Sequence, residues 1–255
     1  MISVKHLSFS CVIPIKGKRP YFEQALASLY NQRCDNLEVI VEDGDVVPDS
    51  GQSDALNRGF AKAKGEWLFW LNADDVLLPG ALGKVSQLLQ SSTHNSSNIQ
   101  WVAGNQLLID DKGKVLKCSV GNAWHDWLYR NAVPHVYGPS SFFRRELFEK
   151  VGGFDTSLKY CMDWDLWIKF MKTGAGFVRV NDYLWAQRQW AGSKTQRALT
   201  KEEMAEHLAE IDDMCLKNGF RITKGGAWLT RAVRLAEGCY FREFLDGCKW
   251  KGRQV

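Results

Sequence analysis

Apolar and polar positions alternate between two periods along the first half of the chain. Phe9-Ser-Cys-Val-Ile-Pro-Ile is a short apolar run and predicts a strand. From Pro20 to Gln32, Phe22, Leu26, Leu29 and Tyr30 fall at helical spacing. Leu37 to Glu42 predicts a second strand, punctuated by Asp43-Gly44. Ser53 to Lys64 places Ala55, Leu56, Phe60 and Ala63 on one helical face. Trp67-Leu-Phe-Trp-Leu is apolar throughout, as in a strand covered on both sides. Asn72-Ala-Asp-Asp follows it, and Pro79 opens a third helix. This βαβαβα order predicts an α/β fold built on a parallel sheet, with right-handed crossovers and ligands at the carboxyl ends of the strands.

The second half is mixed. Ser91 to Asn98 is a polar loop, and Trp101 to Cys118 reads as strands joined around Asp110-Asp-Lys-Gly-Lys. Gly138 to Phe143 predicts a strand and Arg145 to Val151 a short helix, stopped by Gly152-Gly153. Asp163 to Lys172 and Thr200 to Asn218 predict helices, the second closed by Gly219. Trp228 to Lys249 predicts a last helix, both basic and aromatic. No repeat or long linker divides the chain, so one domain with a helical C-terminal extension is expected.

Composition narrows the class. In 255 residues, 45% hydrophobic and 24% charged side chains exclude disorder, collagen and coiled coil. No apolar run approaches the ~20 residues of a membrane span. The opening Met1-Ile-Ser-Val-Lys-His-Leu-Ser lacks a secretory pattern, and seven scattered cysteines without a CxxC pair read as free thiols. A cytoplasmic location is expected. From Lys217 onward, nine Lys or Arg face three acids within a chain of net charge +4. That segment is either a solvated basic face or one attracted to an anionic surface at the inner membrane face. No nucleic-acid recognition motif accompanies it.

Candidate chemistry gathers where strands end. Asp74 and Asp75 are adjacent carboxylates after a buried strand, a pair that is costly without positive charge nearby. A divalent cation bridging a diphosphate would satisfy them; helix capping before Pro79 is the simpler alternative. Glu42-Asp43-Gly44 ends the second strand, where a carboxylate can meet a base or ribose, or merely form a turn. Ser50-Gly-Gln-Ser-Asp opens a helix, with Gln52, Asp54, Asn57 and Arg58 as donors and acceptors. Asp163 and Asp165 are two apart, so only one can enter a cleft. A carboxylate there, beside Met162, Trp164 and Trp167, suits a general base or a packed helix cap. Trp101, Trp124, Trp127, Trp164 and Trp185 are candidates for stacking on a sugar ring, or ordinary core residues.

Three stretches together resemble the family-2 glycosyltransferases of the GT-A fold. They are Gly51-Gln-Ser-Asp-Ala-Leu-Asn-Arg-Gly-Phe through Gly65-Glu-Trp-Leu-Phe-Trp-Leu-Asn-Ala-Asp-Asp, Phe142 through Gly152-Gly-Phe-Asp155, and Met162-Asp-Trp-Asp-Leu-Trp167. The resemblance covers about residues 9–195. It implies a Rossmann-like domain over 1–198, with a nucleotide-binding half to about 100, an acceptor-binding half beyond it, and a helical extension over 199–255. It implies transfer of a sugar from a nucleotide donor, commonly UDP-linked, to the hydroxyl of a saccharide or lipid-linked saccharide, with inversion and with Mn²⁺ or Mg²⁺. Cell-surface polysaccharide or glycolipid synthesis would be the setting. By the resemblance, Pro14 lies along the nucleotide, Asp43 meets the base, Asp54 and Asn72 line the donor site, Asp74 and Asp75 serve ribose and metal with Asp75 as the direct ligand, and Asp163 is the base. Arg188 and Lys194 would contact the diphosphate or belong to a basic surface loop.

Three positions depart from the family pattern. Asn72 stands where many relatives carry an aspartate, Met162 where a glutamate often precedes the base, and Trp190 where a histidine often sits beside the metal. Tryptophan cannot ligate a metal. A catalytically impaired nucleotide-sugar binding protein is therefore one alternative. A sugar nucleotidyltransferase is another, but the single glycine of Ile15-Lys-Gly-Lys-Arg-Pro does not make a phosphate loop.

Overall fold

Strand β1 (Phe9–Ile15) lies between β2 (Leu37–Asp43) and β3 (Trp67–Trp70), parallel to both. The computed structural model describes residues 7–17, 19–91, 98–131, 135–193, 200–223 and 225–255. The crossovers are helices α1 (Phe22–Tyr30) and α2 (Gln52–Lys62), as the periodicity predicts. Strand alternation sorts the side chains into two layers. Phe9, Cys11, Ile13, Trp67 and Phe69 pack with Ala25 and Leu29 of α1, whereas Val12, Leu68 and Trp70 pack with Leu56 and Phe60 of α2. Ile15 pairs with Asp43, so the carboxyl ends of these strands share one sheet edge.

Beyond β3 come β4 (Val76–Leu77), α3 (Ala81–Gln90), β5 (Ile99–Ile109), β6 (Val115–Ser119) and the short α4 (Asp126–Tyr129). A 3₁₀ turn over Gly138–Ser140 leads into β7 (Ser141–Arg144), α5 (Arg145–Lys150), α6 (Met162–Lys172) and β8 (Gly176–Arg188). The sheet runs β2-β1-β3-β7-β5-β8-β4, with β6 paired to β5. It is mixed, because β7 is antiparallel to both β3 and β5.

The second layer of the core is aromatic. Trp70 stacks on Trp167 at 6.1 Å and Trp167 on Trp101 at 5.0 Å, with Phe143 and Phe170 against them. Burying each such ring contributes about 2–3 kcal/mol. Trp101, Trp164 and Trp185 are thus core residues, which corrects the expectation that they stack on a ligand. Trp127, on α4, is the exposed member of that set.

Three helices follow. α7 (Lys201–Lys217) begins with a capping box in which Thr200 and Glu203 satisfy each other's backbone N–H groups. The single helix predicted over 228–249 is instead two, α8 (Gly226–Ala236) and α9 (Cys239–Trp250). Gly238, at φ +69°, turns the chain between them in a conformation that side chains with a Cβ resist. No helix among the described residues is long and apolar enough to cross a membrane. All seven cysteines are free thiols.

Candidate active site

The sheet edge formed by the ends of β1, β2 and β3 carries Pro14, Asp43 and the turn Asn72–Asp75. Alternation along β2 turns Glu42 inward, where Lys62 binds it at 2.5 Å and Arg58 lies 3.7 Å away. Glu42 therefore ties β2 to α2. Asp43 remains half-buried at the edge, and its Oδ1 accepts the Asp45 N–H at 2.8 Å. Asp54, in the first turn of α2, accepts the Ser50 N–H at 3.0 Å and so closes the loop before its own helix. Asn57 clasps Phe154 through both its amide groups, at 2.9 Å each.

A chain of amides holds the Asn72–Asp75 turn. Gln52 donates to Asn72 Oδ1 at 3.0 Å, and Asn72 Nδ2 donates to Asp75 Oδ2 at 2.8 Å. The Arg188 N–H reaches Asp75 Oδ1 at 3.0 Å. Asp75 is 2% exposed with both oxygens engaged. Burial pushes its carboxyl up to about 7 and the Asp74 charge adds to this, against the Arg188 N–H and the Asn72 amide. Near neutral pH, the two adjacent carboxylates thus carry less than two full charges.

Arg188 was expected at the diphosphate, but its guanidinium is committed elsewhere. It is 3% exposed. Nε donates to the Asp74 carbonyl at 3.0 Å, one terminal nitrogen to the carbonyls of Asp110 and Asp111, and the other to Gln24 Oε1 at 2.9 Å. The group also lies over the Tyr21 ring at 4.3 Å. Arg188 fastens the acidic turn to the sheet rather than presenting a free cation. Tyr21 and Gln24 were not singled out from sequence, because both read as ordinary first-turn positions of α1. Lys194 lies outside the described residues.

Trp190 occupies the position where a histidine was expected, and its indole N–H donates to Asp74 Oδ2 at 2.9 Å. Among the described residues, no three His, Cys, Asp or Glu side chains converge as a metal cage. Asp74 is half-exposed, and its Oδ1 has no protein partner among the described residues, whereas Asp75 faces inward. The chain thus fits a divalent cation through one oxygen of Asp74, with the remaining ligands left to a bound diphosphate and water. Of the two carboxylates named from sequence, Asp75 has both oxygens hydrogen-bonded within the protein, whereas Asp74 has one oxygen bonded to Trp190.

Asp163 sits in the first turn of α6, half-buried, with Oδ1 accepting the Trp164 N–H at 2.8 Å. Its Oδ2 lies against Gly138, where a Cβ would come within 3.3 Å of it and 2.5 Å of the Trp70 ring. Trp70 ends β3, so this contact brings Asp163 beside the strand that leads into the acidic turn. Ser53 Oγ reaches Met162 Sδ at 3.1 Å and joins the heads of α2 and α6. Asp165 points the other way, buried in an ion pair with Lys169 at 2.8 Å.

The head of α6 is held from afar. No side chain of its own N-cap residue serves it. Instead, Glu210 of α7 accepts the N–H groups of Lys159, Tyr160 and Cys161 at 2.7, 2.7 and 2.9 Å. Burial pushes the Glu210 carboxyl up, but these three N–H groups outweigh it and hold the carboxyl below its ordinary value. A depressed carboxylate stabilises the fold above its unfolded pKa, and that contribution fades as pH falls through the folded value. Glu210→Gln is therefore expected to cost about 1–2 kcal/mol at neutral pH, with the difference from wild type shrinking in acid. Urea unfolding of both proteins from pH 7 down to about pH 3 measures this, because the change falls below the ordinary glutamate value. A difference that does not vary with pH would refute the charged cap.

Comparison with known proteins agrees with the fold. Residues 47–152 match the family model described as glycosyl transferase family 2. An uncharacterized glycosyltransferase of Rickettsia prowazekii is 27% identical over 224 residues, covering 78% of this chain and 69% of its own. In structure, the chain is similar to a mannosyltransferase from Pyrobaculum calidifontis solved with GDP-Man and Mn²⁺, at TM-score 0.59 and 20% identity, covering 90% of this chain and 70% of that one. It is also similar to residues 1–349 of TarS from S. aureus solved with UDP-GlcNAc, at TM-score 0.58 and 15% identity, covering 82% and 65%.

Proposed function

We propose that the chain is a family-2 glycosyltransferase, a reading supported by its GT-A fold and by the family match over residues 47–152, and that it moves a sugar from a nucleoside-diphosphate donor to an acceptor hydroxyl in a single inverting displacement. The observation that carries this reading is the tie between the acidic turn and the head of α6 through consecutive residues of α2: Gln52 donates to Asn72, and Ser53 donates to Met162 beside Asp163. Such a displacement needs a base on the acceptor side and a stabilised leaving group, with no enzyme nucleophile. Asp163 is the base, held by Trp164 and by the Glu210 cap, and takes the proton of the attacking hydroxyl. The transition state is oxocarbenium-like, as in glycoside chemistry generally.

Pro14, Asp43 and Asp54 border the nucleotide, and Asn72 shapes the turn through Gln52 and Asp75. Asp74 would hold Mn²⁺ or Mg²⁺ together with the diphosphate, and the cation when bound would offset charge on the departing group. Trp190 fixes the second oxygen of Asp74, so this carboxylate is oriented before any ligand arrives. Residues 1–198 form the transferase unit in this reading, and 199–255 the extension that supplies Glu210.

The test is thermal unfolding with UDP, GDP, CDP and dTDP, each with and without Mn²⁺. One nucleotide is expected to stabilise the protein in a metal-dependent way, by about 2.7 kcal/mol at a hundredfold excess over its dissociation constant. Asp74→Ala is expected to abolish that shift. A shift that persists in Asp74→Ala would exclude Asp74 as the cation's ligand. A shift with one nucleotide but no transfer would favour the impaired binding protein, and no shift with any nucleotide would refute the donor site.

A further inference from the structure

We propose that the outer face of α8 and α9 is a docking surface for an anionic lipid bilayer. These two helices are inside out. Their acids and Arg234 face the protein: Arg234 is 4% exposed and donates to the Val120 carbonyl and to Glu243, both at 2.6 Å. Glu243 also accepts the Val120 N–H, Glu237 accepts from His125 and from the Ala123 N–H, and Asp246 accepts from the Tyr183 hydroxyl and Arg242. Every acid after Lys217 is thereby turned inward and bonded.

The apolar residues face solvent. Trp228 and Leu235 are each 70% exposed, and Phe241 and Phe244 each 68%. Leu245 continues the α9 stripe at helical spacing. Single exposed hydrophobes are ordinary, but two adjoining helices that both turn such a stripe outward mark an interaction surface. Exposed Arg231 and Lys249 share these outward faces at helical spacing, and exposed Lys251 and Arg253 follow the end of α9.

The charge decides the occupant. A second copy docked about a two-fold axis would set these cations against their own images, with no exposed acid of this segment to meet them. An anionic bilayer offers what both sets require: hydrocarbon for Phe241, Phe244 and Leu235, and phosphate for the cations. Trp228, with Arg231 5.2 Å from its ring, has the amphipathic character of a side chain at headgroup depth.

The test is co-sedimentation of the full chain with vesicles of phosphatidylglycerol and phosphatidylcholine in equal parts, and with vesicles of phosphatidylcholine alone. No donor is present, so the outcome is independent of the transfer assay. Binding is expected to the anionic vesicles and to weaken by about tenfold or more without the anionic lipid. Phe241→Ser with Phe244→Ser, and separately Arg231→Gln with Lys249→Gln, are each expected to weaken it by about tenfold or more. These side chains are exposed, so an unchanged melting curve controls for folding. Equal sedimentation of wild type and both variants, or none at all, would overturn the proposal. So would a dimer in sedimentation velocity that the phenylalanine pair abolishes, with no vesicle binding, because that assigns the face to a second copy.

Discussion

Asp163→Asn is expected to lower turnover by about 100-fold or more while the donor dissociation constant stays within about twofold of wild type. The substitution keeps an oxygen to accept the Trp164 N–H, so the head of α6 should stay in place. What it removes is the ability to take a proton. Asp165→Asn is the control, because that carboxylate is buried against Lys169 and its loss should be felt in stability first. Single-turnover kinetics with titrated donor separate the two effects. If Asp163→Asn retains turnover and Asp165→Asn loses it, the base has been assigned to the wrong carboxylate.

The second large effect is expected at Arg188. Arg188→Met keeps the aliphatic volume but strands the carbonyls of Asp74, Asp110 and Asp111 and the side chain of Gln24, all bonded by one guanidinium. Buried acceptors left without donors cost about 1–3 kcal/mol each, and some regain water, so a loss of about 4 kcal/mol is expected in equilibrium unfolding. If Arg188 instead served the diphosphate, stability would hold and nucleotide affinity alone would fall. The two readings predict opposite orders of effect, which calorimetric unfolding and nucleotide titration on one preparation distinguish.

The half of the fold from β1 to β3 was legible because its helices and strands differ cleanly in period and its connections are short. The acidic turn after β3 could be read for the same reason: a fully apolar strand ending in Asn72-Ala-Asp-Asp leaves those side chains at the sheet edge. Strand β8 was not legible. Arg179, Asn181 and Asp182 interrupt its apolar pattern, and its pairing with β5 shifts register at Asn105. Its partner lies some 80 residues earlier, where local pattern gives no guidance. With β8 unread, Arg188 looked like a loop cation instead of a strand-end residue.

Which carboxylate stays open was equally hidden. Asp74 and Asp75 are chemically alike, and only the amides of Asn72 and Arg188 decide that Asp75 turns inward. The same limit applies to α8 and α9. Periodicity groups Phe241, Phe244 and Leu245 on one side, but it does not say whether that side meets the core or the solvent.

Glu210 has a consequence for how the molecule is made. The amides at the head of α6 wait for a carboxylate 49 to 51 positions further along the chain. Chains emerge from the ribosome at about 5–20 residues per second. A nascent chain displaying everything through α6 therefore spends several seconds with those amides facing water. The sheet can assemble in that interval with the core face of α6 and its Ser53 contact in place, but the amides leading into this helix are closed only after α7 has arrived. Maturation of the site is thus a late event in synthesis, set by a contact that is long in sequence and short in space.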